Sequence, residues 1–132
     1  MKYIEKLRNS GLRPTKQRLQ ICEVLFDTDK TFHFTINNLA EKIKNRLNNK
    51  ISLATIYNTV HAFEKKGYLK QIPINSSEAY FDTNVTDHHH FYNLKDGKLI
   101  DLENSDVGPI NIKRKINGKK IKSIEVLVKL ED

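Results

Sequence analysis

The chain has 132 residues, 38% of them hydrophobic, and a formal net charge of +7; that is enough for one modest core, or for two small lobes that lean on a partner. The charge is segregated: residues 1–81 hold 14 Lys and Arg against 7 Asp and Glu, while residues 82–132 hold 9 against 9, as expected of a polyanion-binding lobe joined to a neutral one. A single cysteine, Cys22, excludes an internal disulfide and a thiolate-rich zinc site, and the N-terminal stretch has no apolar run long enough for a signal peptide or a membrane span, which points to a cytoplasmic protein with no membrane partner.

In chain order, residues 2–10 read as a short helix ended by Gly11, and a second helix starts from Thr15 as N-cap with Leu19, Cys22, Leu25 and Phe26 on one face. Cys22, among Ile21, Val24 and Leu25, reads as a small buried apolar residue. A third helix fits Thr35 as cap, with Ile36, Leu39, Ala40, Ile43 and Leu47 at helical spacing. Ser52 caps the fourth, Leu53, Ile56, Val60 and Phe63 are its expected inner stripe, and Gly67 stands where a left-handed terminal residue is wanted. Residues 68–74, a turn at Asn75-Ser76-Ser77 and residues 78–81 read as a β-hairpin. Past residue 82, His88 to Leu94 and Lys98 to Leu102 form a second hairpin around Lys95-Asp96-Gly97. Residues 104–120 read as irregular or weakly helical. Ile124, Val126, Val128 and Leu130, alternating with Glu125, Leu127, Lys129 and Glu131, predict a half-buried strand.

Helices followed by a hairpin in this order make a winged helix, whose last helix enters the DNA major groove. The expected architecture is α+β: an N-terminal winged-helix DNA-binding domain over residues 1–82, a hinge at 83–87, and a small α/β dimerisation and metal- or haem-sensing domain with a short sheet over 88–132. Outward positions of the fourth helix, Ser52, Ala54, Thr55, Tyr57 and Asn58, suit thymine methyls, base edges and phosphates, and Arg13, Thr15, Lys16 and Arg18 suit phosphates. His61 falls on the outer side of the same helix and reads as solvated. Three strands with a face to cover, and one recognition helix per monomer, call for a homodimer on a palindromic operator.

His88, His89 and His90 are three of the chain's five histidines. Side chains alternate along a strand, so His88 and His90 share one face and His89 takes the other. Asp82 and Asp101 are the carboxylates best placed to join His88 and His90, and His33, just ahead of the third helix, is a fifth candidate. Imidazoles and carboxylates without thiolate suit Fe(II), Mn(II) or Zn(II) and argue against a closed structural zinc.

Gly11-Leu12-Arg13-Pro14-Thr15-Lys16-Gln17-Arg18, then Ser52-Leu53-Ala54-Thr55-Ile56-Tyr57-Asn58-Thr59-Val60, then Tyr80-Phe81-Asp82 with the histidine run, resemble the ferric uptake regulator family over nearly the whole chain. Within that family, residues 80–86 followed by His88-His89-His90 look most like the haem-responsive iron response regulator branch of alphaproteobacteria. The resemblance implies an iron-responsive, DNA-binding homodimer with a regulatory Fe(II) or Mn(II) site of His33, Asp82, His88, His90 and Asp101 at the domain junction. It implies a recognition helix over residues 52–66 with Tyr57 as the foremost base contact. It also implies haem at His88, His89 and His90, with a haem-delivering protein as a further partner. Metal is then expected to favour DNA binding, and haem to oppose it.

The departures from the family pattern are specific. Asn93 and Asp96 stand at the positions of the first Cys-x-x-Cys pair and the second pair is missing, so no structural zinc held by four cysteines is expected. Cys22 is followed by Glu23 rather than by the proline of a Cys-Pro haem motif, and Glu78 replaces a wing lysine. Asp82 is the residue type of the peroxide-sensing branch, which makes a manganese- or peroxide-sensing regulator the main rival. Two readings from other classes are a small metal-dependent hydrolase, for which no separate base or nucleophile is evident, and a nonspecific single-stranded RNA binder.

Overall fold

Four helices and a three-stranded sheet build the first of two units, which runs to Val85; the second runs from Thr86 to Asp132. The computed structural model describes residues 2–75 and 77–132, so Ser76, in the expected hairpin turn, lies outside the described residues. No helix among the described residues is long and apolar enough to cross a membrane.

The first unit orders α1 (Ile4–Asn9), α2 (Lys16–Phe26), β1 (His33–Phe34), α3 (Ile36–Leu47), α4 (Leu53–Lys66), β2 (Lys70–Ile72) and β3 (Tyr80–Asp82). α1 is shorter than the expected 2–10. It ends in a left-handed closure in which Leu12 N–H reaches the Leu7 carbonyl at 2.9 Å and Gly11 takes φ 76°. Thr15 caps α2 by accepting Arg18 N–H. Thr35 caps α3 in a reciprocal box with Asn38, each side chain accepting the other's backbone N–H at 3.1 Å.

At α4 the Ser52 hydroxyl accepts Thr55 N–H at 3.2 Å, and Gly67 closes the other end at φ 91°. Leu53 departs from its expected place in the inner stripe, being 50% exposed. The core is filled there by Ile51, one residue before the cap, and Ile56, the two positions of a hydrophobic staple. Thr59 joins the buried side instead, its hydroxyl donating to the Thr55 carbonyl at 2.8 Å. Phe63 is fully buried in the same core, with Leu7, Ile21, Leu39 and Ile43.

Cys22 is also fully buried, and burial pushes its thiol up to about 12. At pH 8 only about one such thiol in ten thousand is ionised. A thiol reagent should therefore spare Cys22 in the folded protein and label it in urea; equal labelling rates in the two conditions would mean that the buried face of α2 opens to solvent.

The first sheet has the order β1-β3-β2, both pairs antiparallel, with Gln71 opposite Phe81. Its strand β1, only two residues long, has no counterpart among the elements expected from sequence. Phe34 and Phe81 stack at 5.6 Å on its core face, which by period two sends His33 and Asp82 to the other face.

The second unit is a three-stranded sheet of β4 (His89–Asn93), β5 (Leu99–Leu102) and β6 (Leu127–Leu130), with a 3-10 turn at Asn104–Asp106. β4 is central, antiparallel to β5 and parallel to β6. His88 lies just ahead of β4 rather than opening it, and β6 is shorter than the expected 124–131. The β4–β5 turn is held by side chains, Asn93 Oδ1 accepting Lys95 N–H and Asp96 Oδ1 accepting Lys98 N–H, both at 2.9 Å, while Gly97 takes φ 70°. A parallel neighbour for β4 needs a long return connection, which residues 103–126 supply without further regular structure. Buried residues of this unit are Leu102 and the three histidines His88, His89 and His90. Ile110, Ile112, Ile116 and Ile121 are exposed.

Candidate metal centre and nucleic-acid face

The antiparallel register of β1 and β3 sets His33 directly opposite Asp82. Phe32 N–H to Thr83 Oγ1 at 2.9 Å and Thr83 N–H to the Phe32 carbonyl at 3.1 Å extend that pairing by one step and pin both residues. His33 Nε2 lies 3.4 Å from Asp82 Oδ2, and Asp82 Oδ1 accepts Asn84 N–H at 2.9 Å. A carboxylate only 1% exposed demands hydrogen bonds and a balancing positive charge, because its own charge has lost solvation.

In the second unit His88 Nε2 and His90 Nε2 each lie 3.3 Å from the same oxygen, Oδ1 of Asp101, with the two rings 4.4 Å apart. His90 and Asp101 are cross-strand partners. His88 Nδ1 sits 2.7 Å from the Thr86 carbonyl, which can only accept. An Nδ1–H donated to that carbonyl would leave Nε2 for an ion shared with Asp101. Two imidazole nitrogens and a carboxylate converging in this way fit a divalent cation, and such a carbonyl partner is the usual means of orienting a histidine ligand. Sequence reasoning missed Thr86 because its contribution is a backbone oxygen, which every residue has.

His89 is elsewhere. Its Nδ1 accepts Val126 N–H at 2.8 Å, just ahead of β6, and the ring is 5% exposed. The histidine run thus splits into a converging pair and a buried residue that fastens β6 to β4.

Of the expected DNA contacts, Arg13, Thr15, Lys16, Ser52, Ala54, Tyr57 and Asn58 are exposed, and Arg18 and Thr55 are partly so. Arg13, Thr15, Lys16, Gln17 and Arg18 line one depression together with Thr55 of α4. Thr55, one of the base-type residues, therefore adjoins the phosphate-type residues at the start of α2. His61 is exposed as expected, with its ring parallel to that of Tyr57. Glu78, at the wing position, accepts from Asn37 Nδ2 at 2.9 Å.

The family model described as "Ferric uptake regulator family" matches residues 9–129. The chain belongs to that family. It is similar to the peroxide-responsive repressor PerR of Staphylococcus epidermidis, 34% identical over 99 residues that make up 75% of this chain and 64% of that protein. It is also similar to the peroxide operon regulator of Bacillus subtilis, 30% identical over 99 residues that make up 75% of this chain and 66% of that one. The chain thus spans a little under two thirds of the length of these curated relatives. Among solved structures, the Vibrio cholerae ferric uptake regulator shares the fold with a TM-score of 0.71 and 20% identity, over 98% of each chain. Asn93 and Asp96, which the resemblance equates with a cysteine pair, spend their side chains on the β4–β5 turn.

Proposed function

We propose that this chain is a homodimeric, cytoplasmic regulator of transcription whose affinity for a palindromic DNA operator is set by a divalent metal. In this reading residues 1–82 bind DNA, 83–87 act as the hinge, and 88–132 dimerise and sense. The ion is held by His33, Asp82, His88, His90 and Asp101, each offering one imidazole nitrogen or carboxylate oxygen. Fe(II) or Mn(II) suits that donor set. The observation that carries the proposal is the convergence of His88 and His90 on Asp101, with His88 Nδ1 held against the Thr86 carbonyl. Dimerisation is supported by a second unit whose buried residues are mostly histidine and in which Ile100, Ile110, Ile112, Ile116 and Ile121 lie exposed, an apolar surface that a second copy would cover.

Ligands drawn from both units would couple occupancy to the spacing of two recognition helices, which must match half-sites about 34 Å apart. The ion shifts that equilibrium only as far as it prefers one arrangement over the other. Among ligand readings, peroxide sensing through an Fe(II) form is supported by Asp82 and by the names of the relatives. The haem-responsive reading has less support, since His89 would have to release Val126 to join His88 and His90. A hydrolase reading draws no support from these relatives.

In a mobility-shift assay on a palindromic duplex selected from a random pool, Mn(II) or Fe(II) should tighten binding and a chelator reverse it. Peroxide should release the Fe(II) form alone, with oxidation at His33 or His90. Equal affinity with and without metal would reject the proposal. Tyr57→Ala should cost about 1–3 kcal/mol of discrimination between operator and unrelated duplex, whereas Arg18→Ala should weaken both alike; the reverse pattern would misassign the two residues.

A further inference from the structure

The residues proposed to read DNA occupy only the first turns of α4, yet the exposed stripe of that helix runs its whole length. Ile56, Thr59, Val60 and Phe63 are buried, so helical spacing puts Ala54, Tyr57, Asn58, His61 and Lys65 on the opposite side, and all five are exposed. From Ala54 to Lys65 that stripe is about 16 Å long at 1.5 Å per residue. The major groove is about 12 Å wide. A helix that enters N-terminus first therefore brings its last turns up to the phosphate backbone.

Two observations give this end of α4 the character of an anion site. The His61 ring lies parallel to that of Tyr57, 8° between planes and 5.7 Å between centroids, which holds the imidazole along the stripe; it offers an N–H in either protonation state. Asn58, His61, Lys65 and Lys66 also line, with Asn9 and Ser10 from the end of α1, an open depression of about 320 Å³. Its polar groups are amides, a hydroxyl, an imidazole and two ammonium groups, with no carboxylate among the described lining residues. The amides, the imidazole and the two ammonium groups are donors for a singly charged, oxygen-rich group, while the Ser10 hydroxyl already donates to the Lys6 carbonyl at 2.8 Å.

We infer that this depression seats a phosphate of the DNA backbone, so that α4 reads bases with its N-terminal half and clamps the duplex with its C-terminal half. The inference rests on the DNA-binding reading above and adds Asn9, His61, Lys65 and Lys66 to the contact surface.

The test is the salt dependence of Kd for a long mixed-sequence duplex, measured with Mn(II) present for the full chain, for Lys65→Gln/Lys66→Gln, and for the charge-matched control Lys44→Gln/Lys122→Gln. Both pairs are exposed, so folding is not at stake. Each lost phosphate contact removes about 0.9 from the slope of log affinity against log salt, so the first variant, which loses the one phosphate seated there, should be shallower by about 1. The control should keep the wild-type slope. A wild-type slope in Lys65→Gln/Lys66→Gln, or an equal fall in the control, overturns the inference and leaves the DNA-binding reading standing. Wild-type protein that fails to bind duplex at any salt overturns both.

Discussion

His88→Ala and His90→Ala should each weaken Mn(II) binding by more than about 100-fold, the upper end of what losing a mere orienting partner costs, while His89→Ala should leave Mn(II) affinity nearly unchanged. The three residues are adjacent, equally histidine and all buried, so neither burial nor composition separates them. What separates them is direction. His88 and His90 present Nε2 to Asp101 at 3.3 Å, and His89 is engaged through Nδ1 with Val126 N–H at 2.8 Å. An ion placed against Asp101 meets lone pairs from His88 and His90 and none from His89. His89→Ala should instead loosen the end of β6, at a cost of about 1 kcal/mol for one hydrogen bond, visible as faster amide exchange at Val126. Calorimetric titration of the three variants decides the matter: a loss in His89→Ala as large as in His88→Ala would mean that the strand does not alternate as described.

Much of this arrangement is legible in residue types at fixed spacing. Thr35, Ser52 and Gly67 mark helix ends because each role has a local chemical requirement, a hydroxyl acceptor or a left-handed backbone, that few residues meet. The division of His88 and His90 from His89 is legible because period two is a property of any strand. Features that depend on distant partners are not. Two residues, His33 and Phe34, carry no periodicity, so β1 becomes a strand only because β3 lies beside it. The alternation in residues 124–131 fixes a face but carries no information on direction, and the parallel pairing with β4 comes from the path of the connection. Leu53 falls outside the core because the apolar stripe of α4 stops one turn short of it; Ile51, outside the helix and on no helical period, fills that part of the core.

Phe63→Ala should destabilise the first unit by about 3–5 kcal/mol, the range for emptying a buried aromatic site. Phe63 is fully buried, and its ring meets Phe26 edge-on at 5.6 Å and Tyr68 at 6.1 Å, so truncation removes two aromatic pairs along with the buried surface. Neighbours from a helix and from the chain entering β2 cannot both move into the space, which favours the upper part of that range. Domains of this size hold only about 5–15 kcal/mol in all, so the variant would sit near the edge of folding and lose its DNA-reading face with its core. Tyr57→Ala is the internal comparison: an aromatic on the same helix, 52% exposed, whose loss should shift stability by no more than about 0.5 kcal/mol while affecting DNA discrimination. Urea unfolding followed by far-ultraviolet circular dichroism separates the two, since Phe63→Ala should lower the midpoint at unchanged slope. Equal midpoints for the two variants would mean that α4 does not present opposite faces to core and solvent, and the assignment of its outer stripe to DNA would fall with that result.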